Sequence, residues 1–258
     1  MNILITGGRS NIAYKVALKL SKNHKIYLTT HTENQAKTLK NKVNSNIEVF
    51  KLDITNKSDR EKINNLDIDC LINHAGIGIG GSIIDIDIND LRYNYEVNVF
   101  SSFELLKIVY HKFLKEQKLG KIFVMSSLSS MVPLFLLGSY TSTKASISML
   151  TTTLHQELKL IKSNITISLI EPGAYYTGFN QVMIENKEKY LNKNSIFYRE
   201  KELFTKYQKL IFKLLEKKNL DSIVNKIVKE VESNKPKFHI RAPISQVLLT
   251  KIYLLIFR

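Results

Sequence analysis

Seven short apolar runs, most of them followed by a segment of helical period, constrain this chain more than any other feature. The runs are "NILIT", "KIYLTT", "IEVFKLD", "IDCLINHAG", "KIFVMSS", "ITISLIEPG" and, more weakly, "KFHIRAP". Helical patterns start at Ile12 and near Glu33, Asn89, Ser139 and Leu220. Strands that are apolar along their whole length belong to a parallel sheet covered on both faces. Right-handed crossovers then make the sheet doubly wound. The expectation is one α/β domain built on a seven-stranded, mostly parallel sheet. Residues from about 180 to 219 break the alternation with a helical insertion that carries Val182, Met183, Tyr190, Phe197 and Phe204. Its place before the last strand suits a lid over the C-terminal edge of the sheet, spanning about 175–219. An apolar helix is expected over about 243–258, in "PISQVLLTKIYLLIFR".

The first strand runs into Thr6-Gly7-Gly8-Arg9-Ser10-Asn11-Ile12-Ala13, and Ile12, Val16 and Leu20 then recur at helical spacing. Strand, glycine turn and helix in that order are the setting of a Rossmann-type dinucleotide loop. A helix N-terminus offers unpaired N–H groups and partial positive charge to a pyrophosphate. Glycine lets the backbone approach the phosphates closely. An ordinary strand-to-helix turn reads the same way on this stretch alone.

The middle of the chain is more specific. Tyr140 and Lys144 stand four apart on a helical pattern and share a face. A phenol titrates near ~10, and a nearby ammonium favours its phenolate. Such a tyrosine can give a proton to a carbonyl oxygen or take one from an alcohol. Ser127 ends the run "KIFVMSS", where its hydroxyl can hold the same substrate oxygen.

In order, the chain holds Thr6-Gly7, Asp53 after "FKL", "NHAG" at 73–76, Asn98, Ser127, Tyr140, Lys144 and "EPGAYYT" at 171–177. In these elements and their spacing it resembles the short-chain dehydrogenases/reductases over most of its length. The resemblance implies a nicotinamide cofactor and hydride transfer. It implies a catalytic tetrad of Asn98, Ser127, Tyr140 and Lys144: Tyr140 as acid/base, Ser127 orienting the carbonyl, Lys144 on the nicotinamide ribose, and Asn98 holding a relay water by its backbone. Cofactor contacts are implied for Thr6, Gly7, Ser10, Asn11 and Ile12 in the first turn, Asp53 and Ile54 after the third strand, and Asn73, Ala75 and Gly76 after the fourth. Pro172, Gly173 and Thr177 are implied at the nicotinamide and phosphate end. The family writes its first turn Thr-Gly-x-x-x-Gly-x-Gly; here Gly7, Asn11 and Ala13 fill the three glycine places. Ala13 suits helix–strand packing. Asn11 is the departure, and asparagine tolerates left-handed backbone better than most residues. His74 in "NHAG" reads as a structural or ribose-side contact.

At the end of the second strand, Thr30 and His31 stand where NAD-preferring chains place a carboxylate. With Arg9 they can receive a 2′-phosphate. NADP(H) is therefore expected over NAD(H). Leu134, Phe135, Leu136, Leu137, Tyr175, Tyr176 and Phe179 suggest an apolar substrate pocket for a hydrophobic ketone, aldehyde or secondary alcohol. The competing reading is a cofactor-binding sensor or scaffold without turnover, against which the complete tetrad argues.

Net charge is +15. From Lys201 to Arg258, 13 Lys and Arg stand against 5 Asp and Glu, which leaves +8 in that region. No nucleic-acid signature accompanies the charge, so a solvated basic face is expected, with an anionic membrane surface next. The apolar C-terminal stretch reads first as a packed helix, then as an oligomer contact or interfacial anchor. The resemblance implies a homodimer or homotetramer through the helices near Asn89 and Ser139. Cys70 is the one cysteine and sits in an apolar run, so it reads as a core thiol. No internal disulfide can form, no metal site is expected, and a reducing cytoplasm fits.

Overall fold

The computed structural model describes residues 1–256. Seven strands form one parallel sheet in the order β3-β2-β1-β4-β5-β6-β7. They are β1 (Asn2–Ile5), β2 (Lys25–Thr30), β3 (Ile47–Lys51), β4 (Cys70–Asn73), β5 (Lys121–Met125), β6 (Thr166–Pro172) and β7 (His239–Ala242). The order reverses between β1 and β4, which opens a crevice at the C-terminal ends of those two strands.

Successive side chains of a strand point to opposite faces. Ile3, Ile5, Ile26, Leu28, Cys70 and Ile72 therefore join one core layer, together with Ile12, Val16 and Leu20 of α1 (Asn11–Leu20) and Ile223, Val224 and Ile227 of α9 (Asp221–Glu232). Leu4, Tyr27, Leu71, Ile122 and Val124 join the other, under Leu105, Val109 and Phe113 of α5 (Ser102–Lys115) and Ile147 of α6 (Gly138–Leu160). Each fully buried Leu, Ile or Phe contributes about 1.5–3 kcal/mol, so the two layers hold helices on both faces of the sheet. Cys70 is fully buried, and burial pushes its thiol well above the ordinary range.

Helix starts follow local chemistry. Thr32 and Gln35 close a reciprocal capping box at α2 (Glu33–Lys40). Asn56 accepts from the Asp59 amide at the short α3 (Lys57–Glu61), an element too brief to show in the apolar periodicity. The helix expected from about Asn89 is broken in the middle. α4 (Ile88–Tyr95) passes into a π-helical turn at Glu96–Ser101 before α5 begins. A hydrophobic pattern cannot register that change, because a π turn inserts one residue into a ladder whose apolar faces otherwise continue.

The insertion after β6 folds as α7 (Phe179–Glu188) and α8 (Lys201–Leu215). Met183 and Ile184 of α7 are buried, whereas α8 buries no side chain. α10 (Ile244–Ile256) follows β7, and residues 257 and 258 of the expected C-terminal helix lie outside the described residues. The packed-helix reading of this segment holds only at its first turn, since Gln246 is its one buried side chain among the described residues. Among those residues, no helix is long and apolar enough to cross a membrane.

Candidate active site

A cavity of about 1150 Å³ runs along the C-terminal edge of the sheet, from Gly7 and Arg9 past Tyr140 to Leu215 and Leu249. Every strand from β1 to β6 delivers residues to it, because in a parallel sheet all the strand ends meet on one edge.

At its β1 end, Gly7 adopts φ +73°, and a Cβ there would stand 3.0 Å from the Ala75 backbone. Only glycine meets both demands comfortably. Thr6 ties the turn to the next strand: its Oγ1 donates to Asn73 Oδ1 at 3.3 Å and accepts from the amides of His74 and Ala75, both at 2.9 Å. Ser10 is the N-cap of α1, yet its hydroxyl bonds His74 Nε2 at 3.3 Å and makes no cap to the helix. The first turn of α1 contains no acidic residue. Its N–H groups and positive end thus face the cavity without an internal anion, which fits a pyrophosphate.

Asn11 is the first residue of α1. The expectation of a left-handed asparagine is corrected: among described residues the left-handed non-glycine positions are Gln117, Leu136 and Lys162, and the turn takes its left-handed residue at Gly7. Asn11 is exposed and does not line the cavity, whereas Ile12 does. Thr30 is buried at the end of β2, and His31 lies half outside with Nε2 3.3 Å from Asp53 Oδ2. Burial opposes the charge of Asp53, but the Thr55 hydroxyl and amide, His31 and Lys51 hold its carboxyl below the usual value. Ile54, Ala75 and Gly76 also line the cavity.

Asn73 and Asn98 are struts, outside the cavity lining. Asn73 Nδ2 donates to the Ser102 carbonyl at 2.8 Å and to its hydroxyl at 2.9 Å, which binds β4 to α5. Asn98 sits in the π turn. Its Oδ1 accepts from the Ile77 amide and its Nδ2 donates to the Ile77 carbonyl, both at 2.8 Å, and Nδ2 also reaches Thr143 Oγ1 at 3.0 Å. One side chain thereby fixes the segment after β4 against α6.

Tyr140 and Lys144 do share one face of α6, and both are buried. The Lys144 Nζ lies 5.8 Å from the centroid of the Tyr140 ring and donates to the Met125 carbonyl at 3.1 Å. Burial pushes the Tyr140 phenol up to about 12, against the opposing hydrogen bonds of Ser127 and Ser129. The ammonium was expected to lower that phenol; in the structure burial raises it, and the opposing influences come from Ser127 and Ser129. Burial also pulls Lys144 down to about 8. His74 is lowered to about 4, by burial first and by Lys144 second, so it is a neutral ring near pH 7. Ser127 Oγ donates to the Pro172 carbonyl at 3.3 Å and accepts from the amide and hydroxyl of Ser129 at 3.1 and 2.9 Å.

The far half of the cavity is apolar. Leu134, Phe135, Leu137, Phe179, Met183, Ile211, Phe212 and Leu215 line it, and the Phe179 ring lies 5.5 Å from that of Tyr140. Pro172, Gly173 and Thr177 line the floor between the halves. Two expected pocket residues are corrected. Leu136 is buried with φ +58°, and Tyr176 is exposed; neither lines the cavity. The Tyr175 hydroxyl is engaged with Ser222 at 2.7 Å. Gln246 was missed. Its Oε1 accepts from the Ala174 amide at 2.6 Å and its Nε2 donates to the Leu215 carbonyl at 2.7 Å, pinning α10 and the end of α8 to the loop after Gly173. A lone glutamine in an apolar helix was the available signal. Ser129 was missed too, hidden in the serine-rich "SSLSS". Among described residues, no group of three or more His, Cys, Asp or Glu could hold a metal.

A doubly wound parallel sheet with this glycine turn defines a dinucleotide-binding α/β protein. The model of the short chain dehydrogenase family matches residues 1–188. The chain is 27% identical over 262 residues to a probable short-chain type dehydrogenase/reductase, VdlC, of Helicobacter pylori, an alignment covering 97% of this chain and 91% of that one. It is 29% identical over 215 residues to the NADPH-dependent 1-acyldihydroxyacetone phosphate reductase of Schizosaccharomyces pombe, covering 78% of this chain and 69% of that one. A crystal structure of a short chain dehydrogenase/reductase from Burkholderia phymatum in complex with NAD superposes with a TM-score of 0.80 at 18% identity, covering 100% of this chain and 95% of that one. The chain belongs to the short-chain dehydrogenase family, and is an oxidoreductase of that family.

Proposed function

We propose that this protein reduces a hydrophobic ketone or aldehyde with NADPH, with Tyr140 as the proton donor. The observation that carries the reading is a buried, protonated phenol between a polar half-cavity and an apolar one. A phenol held at about 12 carries its proton at neutral pH but is a weaker acid than free tyrosine, so proton transfer depends on positive charge close behind it. Ser127, on the neighbouring strand end, orients the carbonyl oxygen towards it. Lys144 carries its charge behind Tyr140 and binds the nicotinamide ribose, while Asn98 holds the segment from Gly76 to Gly78 in place. When bound, the nicotinamide supplies the hydride. Gly7, Ser10 and the first turn of α1 hold the pyrophosphate, with Thr6, buried and outside the cavity lining, bracing that turn from behind; Asp53 and Ile54 hold the adenine, and Pro172, Gly173 and Thr177 the nicotinamide end.

Arg9, Thr30 and His31 favour the 2′-phosphate of NADP(H). His31 shields that position from the Asp53 carboxylate through their 3.3 Å contact. The relative from Schizosaccharomyces pombe is by name NADPH-dependent and acts on an acyl-bearing ketone, which agrees in both respects. The helices α7 and α8 serve as a lid that excludes water from the reacting carbon. Phe100, Met149 and Leu150, exposed on the π turn and α6, support a homodimer or homotetramer.

A series of methyl ketones of increasing chain length, assayed with NADPH and with NADH, tests the reading. The value of kcat/KM should rise with each added methylene by up to about fourfold, with NADPH preferred. Equal rates across the series, or preference for NADH, would contradict it.

A further inference from the structure

We propose that the outer faces of α8 and α10 dock this protein on an anionic lipid bilayer, with the mouth of the cavity against the surface. On α8, Leu203, Tyr207, Leu210 and Leu214 recur at i, i+4, i+7 and i+11 and are each more than half exposed, Tyr207 at the rim of the cavity. On α10, Ile244, Leu248, Ile252 and Leu255 follow the same kind of stripe and are likewise each more than half exposed. The two helices meet where Gln246 donates to the Leu215 carbonyl.

The inward faces of the same helices line the cavity, through Phe212 and Leu215 of α8 and Leu249 and Thr250 of α10. α8 therefore carries an apolar arc wider than the face that lines the cavity, with its lysines on the remaining side. A helix that borders a pocket and then water needs only its inner face apolar. Apolar surface beyond that face needs a second apolar environment.

Charge selects which one. Over residues 201–218, six lysines stand against two glutamates, and Glu216 is already engaged by Asn180 and Gln181. Lys206, Lys209 and Lys213 border the α8 stripe, none paired with a described carboxylate. Lysine flanks beside an exposed apolar stripe match a bilayer interface whose headgroups are anionic. A second copy of the chain would bring the same positive face against itself, in a molecule of net charge +15. Within the described residues α10 covers 13 residues, about 20 Å, less than the ~30 Å of a hydrocarbon core. The contact accordingly lies in the plane of the interface. Placed there, the cavity mouth takes an acyl-bearing carbonyl laterally from the lipid; this purpose rests on the function proposed above, whereas the docking itself does not.

Flotation with phosphatidylglycerol/phosphatidylcholine vesicles and with pure phosphatidylcholine vesicles tests the docking. The probe variant is Leu210→Glu, Leu214→Glu, Leu248→Glu and Ile252→Glu combined; none of these side chains lines the cavity. Wild type should float with the anionic vesicles and far less with the zwitterionic ones. The variant should keep its circular dichroism and melting temperature and lose about tenfold or more in vesicle affinity. Wild type that stays at the bottom with both vesicles, or a folded variant that floats as well as wild type, would overturn the proposal. So would light scattering that shows a wild-type dimer split by the variant, with no flotation of either. These readouts need no turnover, so they fail separately from the carbonyl-reducing reading.

Discussion

Lys144 shows most directly how one residue's burial sets chemistry. Its ammonium donates to a backbone carbonyl and has no carboxylate partner, so desolvation lowers it to about 8. The free protein therefore loses this charge as pH rises through about 8, while Tyr140 stays protonated to about 12. The profile of kcat/KM for reduction should fall above pH about 8 for that reason. In Lys144→Arg, whose cation does not titrate in this range, the falling limb should vanish from whatever activity remains. A wild-type profile flat to pH 10 would show that the charge of Lys144 is not needed. That Tyr140 and Lys144 share a helical face was legible in the sequence, because a helix fixes the meaning of a four-residue spacing. The rise of the phenol was not, since it comes from burial beneath Phe179 and Met183, supplied by α7 nearly forty residues further on. Gln246 escaped for the same reason: its partners Ala174 and Leu215 lie 72 and 31 residues away.

Among elements, the strand ends hold the residues proposed to select the cofactor. Arg9 follows β1 and His31 follows β2, and both line the cavity because β1 and β2 pair in parallel, with their ends on one edge. Arg9→Ala should weaken NADPH about tenfold, the loss of one charge-assisted hydrogen bond of about 1.5–3 kcal/mol partly screened by solvent. NADH should be nearly unaffected. Equal losses for both cofactors in a fluorescence titration would place Arg9 on the pyrophosphate. The strands themselves were readable as apolar runs and the glycine turn as a motif. The π turn at Glu96–Ser101 was not, because what selects it is the set of bonds from Asn98 to Ile77 and Thr143, contacts between three elements.

In the molecule as a whole, the sheet and its two helical layers are set by sequence period, while the pH range over which they persist depends on a few buried charges. Asp59 links β3 to α3: its side chain is nearly inaccessible, and it meets Lys51 at 2.5 Å and Lys62 at 2.6 Å. Burial opposes its charge, but those two ammonium groups and the Asp53 amide bring it down to about 2 from 3.8. A carboxyl depressed in the folded state adds stability that is complete above its unfolded pKa and is lost as pH falls through the folded one. Asp59 should thus contribute about 2 kcal/mol near neutrality, declining between pH 4 and 2. Asp59→Asn should lower the melting temperature at pH 7 and flatten that part of its acid dependence. Identical acid profiles for the two proteins would remove Asp59 from the account.

The most direct measurement is a nicotinamide-fluorescence titration of wild type and Tyr140→Phe with NADPH and NADH, each followed by turnover of a hydrophobic ketone. Both proteins should bind NADPH with the same affinity, more tightly than NADH, and Tyr140→Phe should lose about 10²–10⁴ in turnover. Binding without turnover in wild type would make the cavity a cofactor sensor. Turnover retained by Tyr140→Phe, or no binding of either cofactor, would contradict the assignment of Tyr140 and of the glycine turn respectively.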